Sequence, residues 1–536
     1  MLQRKLGLLS VFSVASGAMI SSGLFVLPGL AFAKTGPSVI LAYFLAGLLN
    51  IPAMFAQAEL STAMPRSGGS YFVVERSLGA FAGTLAGLIS WLCIGLKAAF
   101  ACVGMGALIL LINPAAGELA VRLGALATCL VFTALNLVSV KGTGRAQNVL
   151  VGLLVASLVF FVLGGAPAVA PRRFALFFAG DWRAFLAVTG MVFVSYGGLT
   201  KVVDVSEEVE NPRRNIPLGM FLAFGVVNVL YVAVVFVTVG VLEPARLAGS
   251  LAPLAEGAAA STGATGAAVV ALGAFLAYAT TANAGILAAS RSPLAMSRDG
   301  LAPGFLARTH ARFGTPVPAI LITSVFMALV IAFLSVEELA KTASTMFLIS
   351  FALLNAAVVV MRRAGMQGYQ PSFRMPLCPW LPLAGIAVYA FIIFDMGTTP
   401  LLLTAAFLGT GSLWYGLYVQ RRVHRESAIV YLARAAVSKQ FKRSGLEDEL
   451  IAVALERDNI QPDRFDEIVR GALVLDLPEA ATAMQLFERL AAALSRRLNI
   501  PSERLLELFI ARERESSTEI RPGLAIPHVI IEGHDL

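Results

Sequence analysis

Apolar runs of about 20 residues recur along the chain from Leu6 to Tyr418, the length a helix needs to cross a ~30 Å hydrocarbon core at ~1.5 Å per residue. The pattern predicts twelve membrane helices, over residues 6–33, 37–64, 80–112, 118–139, 146–170, 184–206, 216–242, 264–296, 316–335, 339–361, 378–397 and 399–420. The first run is longer than a secretory signal segment and lacks a small-x-small cleavage site, so it reads as a retained helix. After Arg425 the sequence turns charged and amphipathic, with a helical stretch from Ala481 to Leu498, a turn at Ile500-Pro501 and a second helix from Ser502. Two parts follow: a membrane domain over 1–425 and a small appendage over 426–536.

Two of the apolar runs are interrupted. Ser16-Gly17-Ala18-Met19-Ile20-Ser21-Ser22-Gly23 lies in the first, and Ser195-Tyr196-Gly197-Gly198-Leu199-Thr200-Lys201 in the sixth. Glycine costs about 1 kcal/mol relative to alanine inside a helix, and serine offers the backbone competing bonds. Either cluster alone also fits close helix packing through small residues. Hydrocarbon cannot solvate bare backbone, however, so a helix that unwinds in the bilayer must line a cavity. Two such clusters, in the first and sixth runs, suit an inverted repeat of five helices with a shared binding site.

The chain is 57% hydrophobic and 14% charged, with a net charge of +8. That excess belongs to topology: with the N-terminus inside, eighteen Lys and Arg residues fall in cytoplasmic segments up to Arg425 and seven in outer ones. Both termini are expected in the cytoplasm, and no basic tract is left to grip nucleic acid. Cys93, Cys102, Cys129 and Cys378 lie in or beside apolar runs without metal-ligand spacing and read as packing residues. The helices hold no nucleophile-and-base pair or metal cluster, so no catalytic residue, enzyme activity or cofactor is assigned.

Four ordered segments carry a family resemblance. They are Gly17-Ala18-Met19-Ile20-Ser21-Ser22-Gly23-Leu24-Phe25; Glu59 to Tyr71, with Pro65-Arg66-Ser67-Gly68-Gly69-Ser70; Glu207 to Pro217, with Glu210-Asn211-Pro212; and Ala282 to Arg291, followed by Arg298-Asp299-Gly300. In these the sequence resembles the amino acid, polyamine and organocation (APC) superfamily of secondary transporters. The resemblance implies a LeuT-like all-α fold, with helices 1–5 and 6–10 as inverted repeats and helices 11 and 12 peripheral. It also implies that N–H groups of Ser21, Ser22 and Gly23 take an amino acid carboxylate, while carbonyls near Gly17, Ala18, Ser195 and Tyr196 take its ammonium. Met19 and Ile20 complete the first break, Gly197 and Gly198 the second, and Tyr196 and Leu199 border the side-chain pocket. The expected activity is secondary transport of amino acids or related amines across a bacterial inner membrane, by alternating access. A sensor that signals through its tail to a regulatory protein is the alternative.

Charged and polar groups within the runs refine this. Lys97 sits mid-span, where a lysine needs a partner, water or a purpose; it reads as an interior functional group. Lys201 and Asp204, three apart, share a helical face and either neutralise each other or leave Lys201 to reach the substrate. Many members of the superfamily carry an acid near the second break; Leu199-Thr200-Lys201 does not, which argues against cationic substrates. Thr280 and Thr281 offer hydroxyls for a sodium ion, so the coupling ion is expected to be H+ or Na+. In the tail, Phe509 to His528, ending Gly523-Leu524-Ala525-Ile526-Pro527-His528, resembles the phosphotransferase-system enzyme IIA domain of the fructose and mannitol type. That resemblance implies an incomplete α/β domain with His528 as phosphoacceptor, imidazole being nucleophilic near pH 7.

Overall fold

A computed structural model of the chain describes residues 6–65, 69–113, 115–138, 144–310, 313–366, 368–423, 427–437, 445–457, 482–498, 500–515, 519–521, 524–525 and 528–529. The chain divides into two compact units, Met1–Asn459 and Ile460–Leu536. That division lies beyond the composition change at Arg425.

The first apolar run does not form one helix. Helix α1 (Leu8–Met19) ends where Ile20 and Ser21 adopt extended backbone, and the chain resumes as α2 (Ser22–Phe25) and α3 (Leu27–Thr35), with Pro28 in the first turn of α3. The twelve residues of α1 reach about 18 Å, short of a bilayer core; only α1 through α3 together suffice. Gly36, at φ +63°, turns the chain into α4 (Val39–Ala63). Helix α5 (Gly69–Leu78) then leads into α6 (Ala80–Ala107), with α7 (Ile109–Ile112), α8 (Glu118–Val138) and α9 (Gly144–Gly165) following.

The sixth run is broken in the same manner. Asp181 caps α10 (Trp182–Val192) by accepting from the Ala184 N–H at 2.7 Å. The chain tightens to a 3₁₀ turn over Phe193–Tyr196, crosses Gly197 to Leu199 as a turn, and re-forms as the five-residue α11 (Thr200–Asp204). Thereafter come α12 (Pro212–Val241), α13 (Pro244–Gly249), α14 (Pro253–Arg298, kinked at Gly263), α15 (Val317–Phe333), α16 (Val336–Ala364), α17 (Trp380–Phe394) and α18 (Thr398–Trp414). Helices α19 (Ala428–Val437) and α20 (Gly445–Arg457) complete this unit.

Among the described residues, nine helical segments are long and apolar enough to cross a membrane, and α1, α15 and α17 are shorter apolar helices. Burial is arranged for a lipid solvent. Large apolar side chains stand on the outside, including Leu130 (68% exposed), Leu163 (70%), Phe333 (77%) and Leu402 (71%), an apolar surface far beyond what a soluble monomer carries. The interior instead holds Tyr43, Tyr196, Tyr231, Tyr278 and Tyr389, all fully buried. Helix α6 runs through the centre of this unit, packing on α14, α16 and α8. The start of the first run is tied to the loop after the second break: the Leu6 N–H donates to the Glu208 carbonyl, and the Glu210 N–H to the Leu6 carbonyl, each at 3.0 Å.

In the second unit, helices Ala483–Leu498 and Ser502–Glu515 pair through stacked Phe487 and Phe509 rings, 5.7 Å between centroids, with Leu505 buried. A two-stranded antiparallel hairpin, β1 (Glu519–Arg521) and β2 (Leu524–Ala525), follows.

Candidate functional site

The two breaks lie against each other. A methyl group at Gly198 would overlap the Ala18 carbonyl carbon and the Met19 nitrogen, and one at Gly23 would overlap Ser195. Glycine at these two positions is therefore a packing requirement: each break accepts the other's backbone only because no Cβ intervenes. The unwinding is narrower than the sequence predicts in the first run, since Gly17, Ala18 and Met19 stay helical and only Ile20 and Ser21 are extended. Ser22 and Gly23 already belong to α2.

Buried tyrosines from neighbouring helices satisfy backbone groups that the unwinding frees. The Tyr43 hydroxyl of α4 donates to the Gly23 carbonyl at 2.6 Å, and the Tyr231 hydroxyl of α12 to the Ser195 carbonyl at 3.2 Å. The Tyr196 hydroxyl donates to the Tyr43 carbonyl at 2.9 Å and meets the Asn228 side-chain amide, 2.8 Å from Oδ1. The Val194 N–H donates to the Ser344 hydroxyl at 3.0 Å, which in turn donates to the Met191 carbonyl at 2.9 Å. In a medium without water these bonds replace what helix continuity would supply. Tyr196 thus acts as a strut from the second break to α4 and α12, with its ring buried, and Leu199 is buried as well.

Other polar groups remain unspent. Among the described residues, the hydroxyls of Ser16, Ser21, Ser22 and Thr281 are buried without a hydrogen-bond partner. Such groups are uncommon in folded proteins because each forfeits its hydration; the three serines lie around the first break, where they suit a polar guest. Lys97 projects from α6 to the same place, 5% exposed, and its Nζ donates to the Ala18 carbonyl at 2.7 Å. It borders a narrow space with Ile94, Gly197, Lys201, Thr281 and Phe347, with room for about one water molecule. Lys201 and Thr281 also line a wider vestibule of 290 Å³, shared with Gly17, Ala18, Gln147, Thr280, Glu208 and Arg291. The narrow space and the vestibule thus adjoin at Lys201 and Thr281.

The remaining predicted residues are placed as follows. The Thr280 hydroxyl donates to its own helix, to the Leu276 carbonyl at 2.8 Å. The Asp204 side chain lies outside the described residues. His528 is exposed, and Arg512 Nε donates to its Nε2 at 3.1 Å. No group of three or more His, Cys, Asp or Glu among the described residues stands where it can hold a metal ion.

Sequence reasoning missed Tyr43, Asn228, Tyr231, Ser344 and Phe347. The first four are polar residues inside apolar runs, and a buried tyrosine or asparagine in a membrane helix requires a partner, so that signal was available. Phe347 carried none, because one phenylalanine among many apolar residues has no distinguishing mark.

Comparison with known proteins adds identity to this geometry. The amino acid permease family model matches residues 6–419. The methylthioribose transporter of Bacillus subtilis (strain 168) is 30% identical over 78% of this chain and 94% of its own. The branched-chain amino acid permease BcaP of the same organism is 27% identical over the same shares. Cationic amino acid transporter 1 of Arabidopsis thaliana is 24% identical over 75% of this chain and 80% of its own. The family match ends at residue 419, so it does not carry the likeness of the tail to enzyme IIA. Matched over most of its length, and clad in apolar side chains, the chain belongs to the amino acid permease family and is a multi-pass membrane protein.

Proposed function

We propose that this permease is a secondary transporter that binds an amino acid or a related small polar solute at the two breaks and moves it by alternating access. One observation carries the reading: two interrupted helices abut, backbone to backbone, beside buried and unpartnered hydroxyls and a vestibule lined by Gly17, Ala18, Lys201 and Thr281. Broken helices are tolerated at membrane depth where they line a cavity, and they are where transporters hold their cargo. The proposed architecture is the twelve-helix inverted repeat, in which α1–α3 and α10–α11 are equivalent broken helices.

In this reading the N–H groups of Ser21, Ser22 and Gly23 take the substrate carboxylate. Of the carbonyls proposed for the ammonium, that of Ala18 accepts from Lys97 and that of Ser195 from Tyr231, so each offers its second lone pair. The excess of Lys and Arg in alternate loops supports cytoplasmic termini, in a bacterial inner membrane. An H+ or Na+ gradient supplies the work.

Uptake into proteoliposomes tests the proposal. Saturable accumulation of at least one labelled amino acid under an imposed proton or sodium gradient is expected, with collapse when the gradient is dissipated. Absence of saturable flux across the twenty amino acids and methylthioribose would overturn it.

A further inference from the structure

We infer that helix α20 is an autoinhibitory clamp: docked, it joins two groups of helices that alternating access shifts against each other, and so holds the transport rate down. The consequence for flux rests on the proposed function above.

The first group is built on α4. Near the end of that helix the buried Glu59 carboxylate accepts from Arg362 of α16 at 2.6 and 2.8 Å, from the Tyr369 hydroxyl at 2.9 Å and from the Met375 N–H at 2.6 Å. These bonds tie α4 to α16 and to the segment that follows it. Nearer its start, α4 holds both breaks: the Tyr43 hydroxyl donates to the Gly23 carbonyl, and the Tyr43 carbonyl accepts from Tyr196. The second group is built on α5. Its Tyr71 donates to Asp299, just past the end of α14, and α14 forms a wall of the vestibule from Thr280 to Arg291.

Helix α20 is bolted to both groups. At its end Arg457, buried, donates to the Thr62 carbonyl of α4 at 2.9 Å and to the Gln370 carbonyl beyond α16 at 2.6 Å, charge-assisted bonds of the stronger kind. Glu449, about 12 Å earlier along the same helix, pairs with Arg76 of α5 at 2.9 Å. Between these anchors α20 rests on Gly368, where a methyl group would come within 2.8 Å of the Leu450 Cβ and 2.9 Å of the Ile451 nitrogen. Leu446, Leu450 and Val453 are buried in the same contact.

Movement of the break-holding group against the vestibule wall changes the distance between α4 and α5. Packed helix groups rearrange by rocking and sliding, and a helix pinned to both sides opposes that displacement. Docked and released α20 are the two states of the device, and both are accessible because a 13-residue helix is only marginally stable away from its packing surface.

The test uses the full-length protein with Ala288, a vestibule-lining residue of α14, changed to cysteine in a Cys378→Ser background, the other three cysteines being buried. Arg457→Ala removes one anchor, and Gly368→Val pushes α20 away while leaving every donor in place. Limited proteolysis within residues 445–457 reports release of α20; N-ethylmaleimide labelling of the Ala288→Cys position, without solute, reports opening of the vestibule. Proteoliposome uptake of a mixture of the twenty labelled amino acids reports flux. Both variants are expected to release α20 and to raise the labelling rate and the initial uptake rate about fivefold or more, the lower end of ordinary coupling between sites. Release of α20 with unchanged or slower labelling would overturn the inference, as would an α20 that stays protected in both variants. Gly368→Val decides the matter even if Arg457→Ala does not fold. Saturable uptake that is no faster once α20 is released would sink this inference alone, and faster labelling without flux of any solute would sink the transport reading alone.

Discussion

Gly198 packs its α-carbon directly against the Ala18 carbonyl, so that the second break rests on the first with no side chain between them. The contact joins residues 180 positions apart in sequence only in the sense that two spans, each interrupted, present their interruptions to one another.

Gly198→Val is expected to force the breaks apart. Overpacking costs about 1–3 kcal/mol in a well-packed interior, but displacement of the Ala18 and Met19 backbone should abolish uptake outright. Thermal unfolding in detergent together with proteoliposome flux checks this: a folded variant that transports normally would remove the contact from the mechanism.

Tyr196→Phe keeps the buried ring and deletes the hydroxyl shared by the Tyr43 carbonyl and the Asn228 amide. Leaving buried polar groups unsatisfied costs about 1–3 kcal/mol. A lower unfolding temperature is expected, and Tyr196→Phe combined with Asn228→Leu should lose less than the two single changes added, because they share one bond. Strict additivity would show that the strut is not a unit.

At the ends of the helices that predict as cytoplasmic, alkaline pH should loosen the structure. Burial, reinforced by the Asp299 charge, raises the Tyr71 hydroxyl well above its ordinary range, and burial with the Glu59 charge raises that of Tyr369. Tyr71 donates to Asp299, and Tyr369 to Glu59 at 2.9 Å. A group whose pKa is higher folded than unfolded contributes stability that is complete below the unfolded value, about 10 for tyrosine, and is lost as pH rises toward the folded one. Stability should therefore hold up to about pH 10 and decline above it, less steeply in Tyr369→Phe. An identical alkaline profile in wild type and variant would contradict this.

Arg457, 4% exposed at the end of α20, donates to the Thr62 carbonyl at 2.9 Å and to the Gln370 carbonyl at 2.6 Å. Along the same helix Glu449 pairs with Arg76 at 2.9 Å, and Leu446, Leu450 and Val453 are buried. Arg457→Ala leaves two carbonyls short of a donor and should release α20, seen as faster proteolysis within residues 428–457. Glu449→Gln, at a partly exposed pair, should have a much smaller effect; equal protection in both variants would argue against Arg457 as the anchor.

Much of this protein is written locally. Run length sets the spans, because hydrocarbon thickness imposes one repeat distance on any helix that crosses it. Both interruptions were legible as well, since Gly and Ser clusters weaken a helix whatever surrounds them. The end of the membrane unit was not. Residues 445–457 read as charged and soluble, yet their apolar stripe packs within the first unit, and composition reports how much apolar surface a helix has without reporting what covers it.

Sequence alone thus determined that the chain is a bundle of membrane helices with two weak points and a lysine stranded mid-span. Only the tertiary structure decided that the weak points touch, that Tyr43 and Tyr231 supply bonds they lack, and that Lys97 turns toward the Ala18 carbonyl. The physical reason is one of range: helix length and backbone propensity act within a few residues, whereas satisfying a freed carbonyl in a medium without water depends on which side chain packing brings within hydrogen-bond distance.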